Sequence, residues 1–177
     1  DWKAGGHGTT NVTRGIAWSV NTFFYYVGGG YKNFVGLGVD RIIKYMYLFN
    51  LGKKTEIDLT GEATGFVPSK YWKFKTKGEQ WYVGDTYNLS IGQSDLQVTP
   101  LHVAVAYAAI ANGGTLYKPQ IVQKIVNGSG QSASVIQEFQ PEVAGQLGID
   151  AKNLQVVREG MRQEMTRDET VFVMGEG

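Results

Sequence analysis

Apolar residues recur at three-and-four spacing in Val39, Ile42, Ile43, Met46 and Phe49, a pattern that predicts a helix from Asp40 to about Phe49 with one face on a core. Gly52, just past its end, stands where a C-terminal cap would. A second run, Leu101 to Ile110, is apolar on almost every face. It opens with Thr99-Pro100, a capping hydroxyl followed by proline at the first helical position, and closes at Asn112-Gly113-Gly114, so a buried central helix is predicted. Leu154, Val157 and Met161 form a third stripe, behind Asp150 as its cap.

Less regular stretches fill the gaps. Asn11 can cap a short helix through Ser19, and the aromatic run 22–27 stops at Gly28-Gly29-Gly30, where positive φ is permitted and helix is entropically costly. Ile57 and Leu59 alternate with polar neighbours as a short extended piece would, and Ser69–Lys73 reads as one helical turn. Leu116–Val126 is rich in β-branched residues. Ser134–Phe139 alternates after the turn Asn127-Gly128-Ser129-Gly130, so a small hairpin or two edge strands is predicted. No repeat or linker divides the chain, and the pattern predicts one domain over residues 1–177, α+β and mainly helical, with its β element near 116–139.

Composition narrows the function classes. With 42% hydrophobic and 19% charged residues the chain is globular, and 17 basic against 16 acidic residues leave no electrostatic case for nucleic acid. The run Lys70-Tyr71-Trp72-Lys73-Phe74-Lys75-Thr76-Lys77 reads as a solvated turn with aromatic anchors rather than a polyanion or glycan patch. Without cysteine there is no disulfide framework. No segment reaches the roughly 18 apolar residues of a membrane span. Asp1-Trp2-Lys3 reads as the interior of a longer chain, so the missing anchor says nothing of the whole protein.

Several generic motifs fail on inspection. Gly52-Lys53-Lys54-Thr55 lacks the earlier glycine of a phosphate loop, and His7 and His102 do not make a His-rich metal site. His102, on the apolar helix, reads as a hydrogen-bonded core or helix-edge residue. Ser19-Val20-Asn21 is different. If this segment is extended or looped, the hydroxyl and the carboxamide address one side, where a hydroxyl can relay a proton and an amide can hold a peptide carbonyl and N–H. From the residues alone, Ser19 as a helix-end hydroxyl and Asn21 as the next N-cap remains the simpler reading.

The order of motifs adds to this. Asp1-Trp2-Lys3, Gly6-His7-Gly8, Asn11-Val12-Thr13-Arg14, Ser19-Val20-Asn21-Thr22-Phe23-Phe24-Tyr25, Thr55-Glu56-Ile57-Asp58-Leu59, Gly84-Asp85-Thr86 and Gly92-Gln93 before Thr99-Pro100-Leu101 follow one another as in class B penicillin-binding proteins. The chain resembles their transpeptidase domain, most of all in the penicillin-binding protein 2 subfamily of cell-wall elongation, over roughly residues 1–165. The resemblance implies part of a penicillin-binding/transpeptidase (serine β-lactamase-like) fold lacking most of its five-stranded sheet. It implies peptidoglycan D,D-transpeptidase chemistry, in which a serine is acylated by a D-Ala-D-Ala stem peptide or a β-lactam. Ser19 would then be the second-motif serine of the proton relay, and Asn21 would hold the acyl-donor amide.

The family's other two motifs are missing. No serine has lysine three residues on, and Lys54-Thr55-Glu56 and Lys75-Thr76-Lys77-Gly78 only approximate Lys-[Ser/Thr]-Gly, on the wrong side of the Leu101 helix. Arg167-Asp168-Glu169-Thr170-Val171-Phe172 also departs from the family. The expectation is therefore a fragment, inactive alone, of an enzyme at the extracytoplasmic face of the bacterial cytoplasmic membrane. Its partners would be stem peptides, β-lactams and a membrane glycosyltransferase of the elongation machinery, with no nucleic acid and no cofactor. Asp1 and His7 match two ligand positions of a zinc site in some relatives, but Val20 stands where the cysteine would be, so no metal is expected. The rivals are a non-catalytic peptide- or glycan-binding module of the same fold, a β-lactam-hydrolysing or sensing relative, and a helical interaction domain.

Overall fold

The Asn11 side chain accepts a hydrogen bond from the Arg14 amide at 2.9 Å and starts α1 (Val12–Ala17), as its place in the sequence predicts. The computed structural model describes residues 5–128 and 134–166, which fall into two compact units: 5–46, 67–96 and 149–166 in one, 47–66, 97–128 and 134–148 in the other. The departure from the family at 167–172 lies outside the described residues.

The first unit is helical. It holds α1, α2 (Asn21–Gly29), α3 (Val39–Leu48) through Met46, α4 (Lys70–Lys77), α5 (Val83–Ser90) and α7 (Ala151–Thr166). Helix α7 begins at Asp150, whose side chain accepts from the Lys152 amide at 2.7 Å, and its stripe of Leu154, Val157 and Met161 is turned inward. It lies along α1, and Gly160 makes the approach possible: a Cβ there would stand 2.9 Å from the Ile16 Cβ and 3.0 Å from the Thr13 carbonyl.

The expectation that the aromatic run ends at the triple glycine is corrected. Gly28 and Gly29 are the last turn of α2, and only Gly30, at φ 83°, leaves it. Their role is packing. A Cβ on Gly28 would collide with the Ser90 side chain and one on Gly29 with the Tyr87 ring, so both glycines let α2 lie against α5, and the Tyr87 hydroxyl donates to the Gly30 carbonyl at 2.9 Å.

The single turn expected at Ser69 is two turns long. Ser69 caps α4 through the Trp72 amide at 3.1 Å, and Gly78 ends it in the left-handed region. Three of the four lysines of the cluster are solvated, as the sequence reading has it, and Lys73 is buried; Lys70 pairs with Asp40 at 2.6 Å, Lys73 with Asp85 at 2.7 Å, Lys77 with Asp95 at 2.8 Å, and Lys75 lies over the Tyr71 ring. Helix α5 has no apolar period and is not expected from the sequence; Asp85 starts it by accepting from the Tyr82 amide at 2.7 Å.

The second unit is built on α6 (Pro100–Ala111) with β1 (Thr115–Tyr117), β2 (Lys124–Asn127), β3 (Ser134–Glu138) and β4 (Val143–Gln146). β2 pairs antiparallel with β3 as the hairpin reading has it, while β1 pairs with β4, a strand the sequence does not announce. Residues 57–59 are not a strand. They belong to a loop closed by Glu62, whose carboxylate accepts from the Thr55 amide and hydroxyl at 2.6 Å and from the Glu56 amide at 3.0 Å.

Thr99 caps α6 as expected, its Oγ1 accepting from the His102 amide at 3.2 Å. His102 is 1% exposed. Its Nδ1 accepts from the Thr99 amide at 3.1 Å and its Nε2 donates to the Lys53 carbonyl at 2.6 Å; those two backbone partners fix the ring as the Nε2–H tautomer. The expectation of a fully buried helix fails beyond that. Among the residues of α6 only His102 and Ala109 are buried, and Val103 and Tyr107 are 42% and 56% exposed.

Candidate functional site

Ser19 sits on the bend between α1 and α2. Trp18 closes α1, its amide donating to the Arg14 carbonyl at 3.0 Å; the Ser19 amide donates to Ile16 and the Val20 amide to Gly15, both at 3.0 Å. Ser19 itself has φ 49°, the left-handed region, where a side chain costs about 1–2 kcal/mol. Such an outlier persists only where its surroundings over-determine it.

Those surroundings are visible. Val20 is 3% exposed, and its carbonyl accepts from the amides of Phe23 and Phe24 at 3.0 and 3.4 Å, which makes it the N-cap residue of α2. Asn21 is therefore the first residue of α2 rather than its cap. Ser19 and Asn21 are both exposed on either side of buried Val20, so the bend turns the hydroxyl and the carboxamide outward while the valine holds it down. Neither side chain takes part in a hydrogen bond among the described residues, which leaves both polar groups open to a ligand. No side chain caps α2, and its first turn carries no acid, so the start of the helix adds a positive field beside the pair.

Other sequence candidates are placed around this bend or away from it. Gly84-Asp85-Thr86 and Ser90 lie on α5, which backs α2 and supports it. Burial works to raise the Asp85 carboxyl, but the Lys73 ammonium and the Tyr82 amide outweigh it and hold it below the usual carboxylate range. Thr86, buried, accepts from the Trp81 indole at 2.9 Å and gives its carbonyl to the Ser90 hydroxyl at 2.6 Å. Thr55 and Asp58 belong to the second unit. Asp58 accepts from the Ile121 and Val122 amides at 2.8 and 3.0 Å, which first of all lowers its pKa.

For metal, Asp1 lies outside the described residues, His7 is half-buried in the loop before α1, and Val20 faces inward with no donor atom. Among the described residues no group of three or more His, Cys, Asp or Glu side chains is placed to hold an ion. Sequence reasoning missed Gly15, which is buried on α1 beneath the bend. No periodic or capping signal distinguishes it, because the residue that needs its missing side chain is Phe23, across the turn.

Comparison with known proteins agrees with the motif order. The chain is 36% identical over 123 residues to the peptidoglycan D,D-transpeptidase MrdA of Acinetobacter baumannii, covering 70% of this chain and 17% of that protein. To MrdA of Escherichia coli K12 it is 35% identical over 143 residues, 81% of this chain and 22% of that one. It thus spans about a fifth of the length of the curated relatives it matches. Among solved structures, Pseudomonas aeruginosa PBP2 in complex with WCK 5153 superposes with a TM-score of 0.75 at 31% identity, over 93% of this chain and 34% of that one. PBP2 of Helicobacter pylori, in its complex with MreC, gives a TM-score of 0.70 at 30% identity, over 92% and 27%. The small two-stranded sheets fit a partial copy of that fold. Since the model of the penicillin-binding protein transpeptidase domain matches residues 1–174, nearly the whole length, the chain belongs to that family.

Proposed function

We propose that this chain is one partial domain of a peptidoglycan D,D-transpeptidase of the penicillin-binding protein 2 type, and that Ser19 and Asn21 are its contribution to the catalytic cleft. The observation that carries this reading is the strained bend that exposes both groups around a buried valine, at the place where the family has Ser-x-Asn. The Ser19 hydroxyl passes the proton between the nucleophile's side and the leaving group. The Asn21 carboxamide accepts from and donates to the acyl donor's backbone. The nucleophilic serine and its activating lysine come from chain outside these residues, since no Ser-x-x-Lys occurs here. The parent protein acts at the extracytoplasmic face of the membrane on stem peptides, is acylated by β-lactams, and works beside a membrane glycosyltransferase.

The test is acylation of the parent protein by a fluorescent penicillin. Ser19→Ala is expected to slow covalent labelling by about 10²–10⁴-fold, the range of a positioned proton-transfer group, and Asn21→Ala by about 10²-fold, the cost of a misplaced acyl donor. Wild-type labelling rates in both variants would overturn the roles assigned. The isolated 177 residues are expected not to label; stoichiometric labelling would mean that they hold a nucleophile of their own. A parent protein that never labels would favour the binding-module reading.

A further inference from the structure

We infer that Gly15 is the positioning residue of the Ser19–Asn21 bend, setting the line between the relay hydroxyl and the substrate-holding amide. The inference rests on the roles proposed above for those two residues.

Gly15 touches the bend from both sides. Its carbonyl accepts the Val20 amide at 3.0 Å, so the residue between Ser19 and Asn21 is tied directly to it. Its missing side chain is filled by the Phe23 ring: a Cβ on Gly15 would stand 2.6 Å from Phe23 Cδ1, 3.0 Å from Cε1 and 3.1 Å from Cγ. The contact reaches Cγ, at the root of the half-buried ring, so moving a flexible chain end alone does not relieve it. Phe23 is the third residue of α2, and its own amide is bonded to the Val20 carbonyl at 3.0 Å. One glycine thus holds the middle of the bend by its oxygen and the start of α2 by the space over its Cα. Helix preference runs the other way, since alanine is the better residue inside α1, so what disfavours alanine here is the ring.

Helix α1 is itself held by the close contact of Gly160 with Ile16 and Thr13, and α2 by Gly28 and Gly29 against α5. Neither helix can shift freely to absorb a methyl group at residue 15. The displacement falls on the bend, where Ser19 is already in a strained conformation.

The experiment uses the parent protein and the same fluorescent penicillin, with pre-binding and acylation resolved by rate against concentration. Gly15→Ala is expected to reduce the limiting acylation rate by up to about 10²-fold, the cost of misplacing a catalytic group by an ångström, with a smaller change in the half-saturating concentration. Phe23→Val on that background removes the collision and is expected to restore the rate towards that of Phe23→Val alone. An unchanged rate in folded Gly15→Ala would overturn the inference, and so would a loss that Phe23→Val does not rescue. Should Gly15→Ala fail to fold, the double variant still decides: if it folds and acylates as Phe23→Val does, the collision is the cause, and if it does not, the inference falls. Failure of the underlying reading is separate, because it appears as wild-type rates in Ser19→Ala and Asn21→Ala.

Discussion

At Ser19 backbone and chemistry pull in different directions. Glycine would adopt φ 49° without steric cost, but only the serine carries a hydroxyl. Removing about 1–2 kcal/mol of strain outweighs the extra chain entropy of glycine, so Ser19→Gly is expected to be as stable as the parent domain or more stable by up to about 1 kcal/mol. Ser19→Ala keeps the strain and should not gain. Chemical denaturation of both variants checks this; a marked loss in Ser19→Gly would mean that the hydroxyl stabilises the fold. The residue pair itself is legible in the sequence, because Ser-x-Asn is a local pattern. Its conformation is not, because nothing in the three residues says that Val20 will be buried and bonded back to Gly15.

At the scale of elements, α4 and α5 are clasped by Lys73, which is 7% exposed and bonded to Asp85. The bond to Asp85 is the first cause that raises the Lys73 ammonium, while Asp85 is held low, so the clasp is fully formed across neutral pH. A depressed carboxylate contributes stability above its unfolded value of about 3.9 and loses it as pH falls through the folded value. Lys73→Met is therefore expected to lower the unfolding temperature at pH 7, with the gap to wild type narrowing below about pH 4. A gap independent of pH would mean that the lysine acts by packing alone. On α7, Glu159 is pulled down to about 2, first by the Arg162 side chain and then by Gln163. Its pairing is retained until strongly acid pH. Gly160→Val is expected to destabilise the first unit by about 1–3 kcal/mol through overpacking against Ile16 and Thr13, measured by urea unfolding.

For the whole molecule, the apolar surface left open is the notable property. Val103 and Tyr107 on α6, and Ile125, Val126, Val135 and Ile136 on the hairpin, are all exposed, and a two-stranded hairpin is marginal by itself. The isolated 177 residues are expected to bind a hydrophobic dye strongly, and the intact transpeptidase domain to bind far less per molecule. Equal dye binding by the two would show that these surfaces stay open in the parent protein.

The chain by itself determined the helices whose apolar residues repeat at helical spacing, the caps at Asn11, Thr99 and Asp150, and the motif order that places it among the transpeptidases. These are local signals, fixed by residues a few positions apart. Tertiary structure decided the rest: that Gly28 and Gly29 are helical contacts, that Lys70, Lys73 and Lys77 are paired with acids, that Thr115 meets Gln146, and that Gly15 lies under Phe23. Each depends on partners brought together only by folding, and a glycine chosen for what its missing side chain admits leaves no periodic trace along the chain.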